Sequence, residues 1–236
     1  MSCNHRPGVG SAAYIELHAG VRRDGCAVTG SPVGCTHHGC SGGKRDSYLT
    51  WPNLVTTVRT VVAVGLVLAG LAAASTVLLF VGLAAYWLGD VADGVLARRT
   101  GAETRTGAVL DVVADRLCVA VFFLSYAFWH QQLLVPVAVF LVTFMFVDTM
   151  LSLSFLNWPL LSTNYFYLVD RRLYLLNWSP VAKALNGGLL LVVMVVTGSP
   201  VGTLAVAVAQ LAVKTYSTVR LVRLRPVREG GCAGPA

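Results

Sequence analysis

Asp90-Val-Ala-Asp93-Gly94-Val-Leu-Ala97-Arg98, followed after eight residues by Gly107-Ala-Val-Leu-Asp111-Val-Val-Ala-Asp115-Arg116, sets four carboxylates at fixed spacing in segments apolar enough to lie in a membrane. On helices, Asp90, Asp93 and Ala97 fall at i, i+3 and i+7, while Gly107, Asp111 and Asp115 fall at i, i+4 and i+8, so each set lines one face. Two such helices facing each other make a four-carboxylate box. Insertion scales charge roughly 2.5 to 3.5 kcal/mol for each central Asp, so four unpaired acids would cost about 10 kcal/mol. Hard divalent cations with oxygen ligands relieve that cost, and Mg²⁺ keeps open positions for water and phosphate oxygens. Gly94 and Ala97 remove bulk where something must approach the backbone, and Arg98 offers a planar fork suited to phosphate. Gly107, a poor helix residue at the head of a strong helix, also marks a close approach. The plainer alternative, a structural ion-pair cluster at a helix end, runs against the functional default for intramembrane ionisable groups.

Composition agrees with a membrane setting. The chain of 236 residues is 56% hydrophobic and only 12% charged, with a mean hydropathy of +0.68, whereas soluble proteins average about 25% charged. Apolar stretches long enough to span run over Leu54 to Ala73, Ser75 to Ala97, Gly107 to Trp129, Leu133 to Phe155, Pro180 to Thr197 and Val201 to Val219. The expectation is an all-α integral membrane protein of six transmembrane helices, with both ends on one side. Arg98, Arg99 and Arg105 border the loop between spans two and three, Arg171, Arg172 and Lys183 lie around the loop between four and five, and Arg220, Arg223, Arg225 and Arg228 follow span six. The opposite loops carry no Lys or Arg. The positive-inside rule therefore puts both termini, and the site at the ends of the second and third spans, on the cytoplasmic side of the cell membrane. Trp51, Trp129, Trp158 and Trp178 fall near span ends and read as interfacial anchors. The net charge of +7 suits topology and anionic headgroups, and no basic and aromatic stripe points to nucleic acid.

The signature resembles that of the CDP-alcohol phosphatidyltransferase family, DxxDGxxARx8GxxxDxxxD, at every fixed position and with every spacer intact. Pro52-Asn53-Leu54-Val-Thr56-Thr57-Val-Arg59 is similar to the family's segment entering the first membrane helix, and the likeness covers about residues 48 to 225. It implies transfer of a phosphatidyl or related group from a CDP-linked donor such as CDP-diacylglycerol to an alcohol, with release of CMP. It further implies that Asp90, Asp93, Asp111 and Asp115 hold Mg²⁺ or Mn²⁺, two ions together, with Asp115 also the general base. Asn53, Asp93, Gly94, Ala97, Arg98 and Gly107 would form the CDP-donor pocket. A homodimer within the membrane lipids is the expected assembly by the same resemblance.

The signature does not encode the acceptor. Arg116, Asp148, Arg171, Arg172 and Lys183 are the candidates for binding it, with glycerol 3-phosphate or an inositol-type alcohol as the acceptor. Arg171 and Arg172 also fit a purely topological role, and Asp148 fits pairing with a basic neighbour. A membrane cation transporter and an inactive family scaffold are the alternative functions; Arg98 beside the acids argues against the first, and the complete acidic set against the second. Residues 1–47, rich in Gly, Ser, Cys and His, read as a disordered polar tail, and residues 226–236 as a flexible C-terminal tail. Cys26, Cys35, His37, His38 and Cys40 match none of the common paired-ligand zinc spacings.

Overall fold

The computed structural model describes residues 39–41 and 46–224. The remaining part of the expected N-terminal tail, with Cys26, Cys35, His37 and His38 of the set weighed for zinc, and the expected C-terminal tail lie outside the described residues. The fold is all-helical. In chain order the helices are α1 (Trp51–Ala72), α2 (Thr76–Thr100), α3 (Arg105–Trp129), α4 (Gln131–Asn157), α5 (Arg171–Thr197) and α6 (Pro200–Val222). Between α4 and α5 the chain makes a short 3₁₀ helix, Thr163–Leu168.

Local sequence accounts for the boundaries. Thr50, Ser75, Thr104 and Ser199 each stand at a helix N-cap and accept a hydrogen bond from the N–H three residues on, which satisfies a donor the helix cannot pair internally. Pro52 and Pro200 sit in first turns, where no N–H is needed. Gly101 ends α2 in the left-handed region, at φ 63°, and so allows the short turn that delivers the chain to α3.

Four helices, α1, α2, α4 and α5, are long and apolar enough to cross a membrane. At most 39% of the apolar stretch in any of them is buried within the protein, so Val61, Val77, Leu88, Val135, Val142 and Val196 face outward. Such a surface needs a lipid or protein cover. The other two expected spans lie within α3 and α6, continuous helices of 25 and 23 residues.

The main core gathers Phe122, Phe123 and Tyr126 of α3 with Leu79 of α2, Phe140 of α4, Leu190 and Met194 of α5, and Ala207 of α6. Phe80 and Phe122 meet edge-on at 5.5 Å between centroids, an arrangement favoured by the ring quadrupole. A second apolar cluster forms where the 158–170 segment folds back over the ends of α4 and α5, with Phe155, Leu160, Phe166 and Leu173 fully buried. Trp158 and Trp178 belong to this cluster, each only 4% exposed. The anchor reading is thus corrected for these two: the returning segment covers their rings with apolar contacts before a membrane interface can. Trp51 remains exposed.

Helices α1 and α2 pack closely because glycines remove side chains from their seam. A Cβ on Gly82 would lie 2.7 Å from Val67 Cγ2 and 2.9 Å from the Ala63 carbonyl, and one on Gly70 2.8 Å from the Leu79 nitrogen. Replacing Gly82 with Val should therefore force the two helices apart at a cost of about 1–3 kcal/mol, the usual range for overpacking. Thermal unfolding in detergent or lipid should show a lowered Tm; an unchanged Tm would contradict this account of the seam.

Candidate active site

Helix α1 brings a cation to the acids that α2 and α3 present. Arg59 has a side chain 3% exposed, and its Nη2 lies 3.4 Å from Asp90, 2.5 Å from Asp111 and 3.2 Å from Asp115. Its Nε stands 2.8 Å from Asp93 Oδ2, a charge contact without hydrogen-bond geometry. The box expected from the spacing is therefore formed, with one guanidinium touching all four carboxylates. Gly89 makes the reach possible, since a Cβ there would sit 2.7 Å from both Cβ and Cδ of Arg59. The Thr56 hydroxyl, one turn before Arg59, donates to Asp93 at 2.8 Å.

Ligand oxygens of Asp90, Asp93 and Asp111 all lie within 4.8 Å of one another, close enough for a single cation to bind them together. The set is all hard oxygen, which suits Mg²⁺ or Mn²⁺ better than a thiol-seeking metal. Asp115 falls outside that group and joins the others through Arg59 Nη2.

Two cavities meet at the box, and Asp111 lines both. The first has Asn53, Asp93, Gly94, Ala97, Arg98 and Gly107 in its wall, opposite Leu161, Ser162 and Asn164 of the returning segment. Gly107 is needed for its shape: a Cβ there would stand 2.6 Å from Asn53 Oδ1. The Asn53 amide in turn donates to the Tyr48 carbonyl at 2.9 Å, tying the entering chain to the wall. The stretch before α1 also contributes. Leu161 N–H donates to Gly39 O, Ser41 N–H to Pro159 O, and Asp46 accepts from the Arg105 N–H at 3.0 Å. Glu103 of the wall accepts from the Tyr165 hydroxyl at 2.7 Å; burial and then that carboxylate push the Tyr165 phenol up.

The second, larger cavity opens on the other side of the acids. Asp90, Asp115, Arg116, Asp148, Ser152, Asn177, Lys183 and Asn186 contribute its polar wall, and the exposed side chains of Trp87 and Val91 its outer rim. Two π-helical turns shape it. Thr143–Asp148 in α4 supplies Phe144 and Asp148, and Leu185–Leu189 in α5 supplies Asn186, Gly187 and Gly188. Such single-turn bulges redirect side chains and are frequent at functional sites. Asp148 accepts from Arg116 at 2.5 Å and pairs with Lys214 at 2.6 Å, so one buried carboxylate holds two buried cations. Lys214 also donates to Asn177 Oδ1 at 3.0 Å, and the Asn177 amide donates to Ser217 at 2.9 Å, which pins α5 to α6. The Arg116 guanidinium lies 3.9 Å from the Phe144 ring centroid.

Of the five acceptor candidates, Arg116, Asp148 and Lys183 line the second cavity. Arg171 and Arg172 line neither of the two cavities and are exposed at the start of α5. Beside them, Asp170 accepts from Arg220 Nε at 2.9 Å. Burial raises the Asp170 carboxyl, but the Leu173 N–H and the Arg220 guanidinium outweigh it and hold the group below its ordinary range. The sequence reading missed Arg59 and Thr56 as partners of the acids, and Gly89, Lys214 and Asn177 altogether. For Arg59 and Lys214 a signal existed, since each is a lone basic residue inside an apolar helical stretch.

A family model described as CDP-alcohol phosphatidyltransferase matches residues 49–222. No curated protein and no solved structure matches the chain.

The shared carboxylate gives a direct test of the network. Asp148→Asn would leave Arg116 and Lys214 buried without their common counter-charge, and should destabilise the protein by about 3–5 kcal/mol, the usual penalty for breaking a buried pair. Denaturant unfolding of protein in lipid or detergent measures it. A variant as stable as wild type would show that the two cations are compensated by other means.

Proposed function

Because the chain belongs to the CDP-alcohol phosphatidyltransferase family, whose members transfer substituted phosphate groups and depend on divalent metal, we propose that it moves a phosphatidyl group from CDP-diacylglycerol, or a related CDP-linked donor, to a small alcohol. The observation that carries this reading is the meeting of two cavities at Asp111, one on each side of the carboxylate box. A displacement at phosphorus needs such an arrangement, with leaving group and attacking group on opposite sides of the reacting atom.

In this reading the cytidine diphosphate end of the donor occupies the first cavity. Gly94, Ala97 and Gly107 let it approach the backbone, and Arg98 meets its phosphate oxygens. Asp90, Asp93 and Asp111, with Asp115 beside them, would hold Mg²⁺ or Mn²⁺, which supplies charge neutralisation at the bridging phosphate oxygens. The acceptor enters through the second cavity. Its oxygen bonds to the lipid-side phosphorus, the P–O bond to CMP breaks, and its proton passes to the Asp115 carboxylate. Arg116 and Lys183, together with the neutral hydrogen-bonding groups of Ser152, Asn177 and Asn186, suit glycerol 3-phosphate or an inositol-type alcohol. The acyl chains of the donor stay in the bilayer past Trp87 and Val91. All six helices cross the membrane with the site and both termini on the cytoplasmic side, and the chain pairs as a homodimer through its outward apolar faces.

The test is CMP release from CDP-diacylglycerol by the purified protein in lipid with Mg²⁺ or Mn²⁺, offered glycerol 3-phosphate, inositol, inositol phosphate and serine in separate reactions. Release with one acceptor is expected. Asp111→Asn and Asp115→Asn should each lower the rate about 100-fold or more, the scale of a lost proton acceptor or metal ligand, while the protein still inserts. Folded wild-type protein that releases no CMP with any of these acceptors would count against the proposal.

A further inference from the structure

We propose that Arg59 is a resident counter-ion of the carboxylate box, which a divalent cation must displace in order to bind. The geometry is one of direct competition. Nη2 touches Asp90 and Asp111, two of the three acids whose oxygens converge to within 4.8 Å, and Nε touches the third, Asp93. A cation coordinated by those oxygens and the Arg59 guanidinium would claim the same lone pairs and much the same volume. Two positive groups at such a separation also repel each other.

Arg59 is placed to yield. A planar fork is best satisfied by paired, parallel contacts to one carboxylate. Here the fork is spread over four acids from two helices, its Nε lacks hydrogen-bond geometry, and its Nη1 reaches only the Tyr86 carbonyl, at 3.4 Å. Its hydrogen bonds to the box come from Nη2 alone, to Asp111 and Asp115, so Asp90 and Asp93 are compensated by charge contact only. Its stem runs past Gly89, and its carbon end lies 5.4 Å from the Tyr86 ring centroid, a cation–π contact. The consequence is a site whose acids stay together in an apolar bundle whether or not a metal is present, at the expense of metal affinity. Arg59 is thus a positioning residue rather than a catalytic one.

This inference rests on the metal-binding part of the proposed function, and its test separates the two. Mn²⁺ binding to the full-length protein in lipid nanodiscs, without nucleotide or acceptor, is measured by electron paramagnetic resonance for wild type, Arg59→Gln and Arg59→Lys, alongside Tm with and without Mn²⁺. Arg59→Gln should bind Mn²⁺ about 10-fold more tightly, within the range of roughly 5- to 150-fold typical of coupling between ligands. Arg59→Lys, a point charge that reaches fewer acids, should fall between it and wild type. Without Mn²⁺ the Gln variant should melt below wild type, and Mn²⁺ should raise its Tm by more than it raises that of wild type. If Arg59→Gln does not fold, the Lys variant carries the test alone. Unchanged or weaker Mn²⁺ affinity in a folded variant overturns the displacement, because a purely structural Arg59 would lower Tm without tightening the metal. Wild type and variants that all lack a saturable Mn²⁺ site overturn the metal reading itself.

Discussion

Four carboxylates converge where three apolar helices pack, and the charge they carry governs much of the surrounding structure. Four such groups left unpaired would cost the folded state about 10 kcal/mol on insertion scales, a large share of the stability of any protein. Arg59 answers that demand from α1. To do so, its stem must pass α2 where Gly89 has no side chain, and the α1–α2 seam must be tight, which Gly70 and Gly82 permit. The charge problem and the glycine seam are thus two parts of one solution, and the short capped turn at Gly101 then brings α3 round to complete the box.

The same logic recurs on the far side of the second cavity, with the signs reversed. Arg116 and Lys214 are buried cations that share Asp148, and Asn177 and Ser217 extend the network across α5 and α6. Both π-helical turns contribute to this cavity, so both lie where polar side chains have to be turned inward. The first cavity instead borrows its outer wall from the 158–170 segment, which residues 39–41 hold by backbone hydrogen bonds. Neither cavity is made by one helix pair alone.

The carboxylate box was legible in the sequence because helical spacing alone fixes which side chains share a face, and the apolar setting makes charged residues conspicuous. Gly107 likewise revealed a close approach, which proves to be with Asn53. What could not be read was which distant group compensates which. Arg59 lies 31 residues before Asp90 and Lys214 lies 66 after Asp148 by the numbering, and no periodicity within one helix links such pairs. The π turns were hidden for a related reason: an extra residue in a turn leaves the apolar pattern of a buried helix almost unchanged. Trp158 and Trp178 were misplaced because position near a span end does not reveal that a loop returns to cover the ring.

The most direct measurement of the central claim is where a metal and a cytidine nucleotide bind relative to the box. A crystal structure with Mn²⁺ and CDP, with the anomalous signal of manganese recorded, locates both. The account predicts a manganese peak among Asp90, Asp93 and Asp111, with the diphosphate reaching it from the cavity bounded by Asn53, Gly94, Arg98 and Gly107. Nucleotide bound elsewhere, or manganese bound away from those three acids, would contradict it.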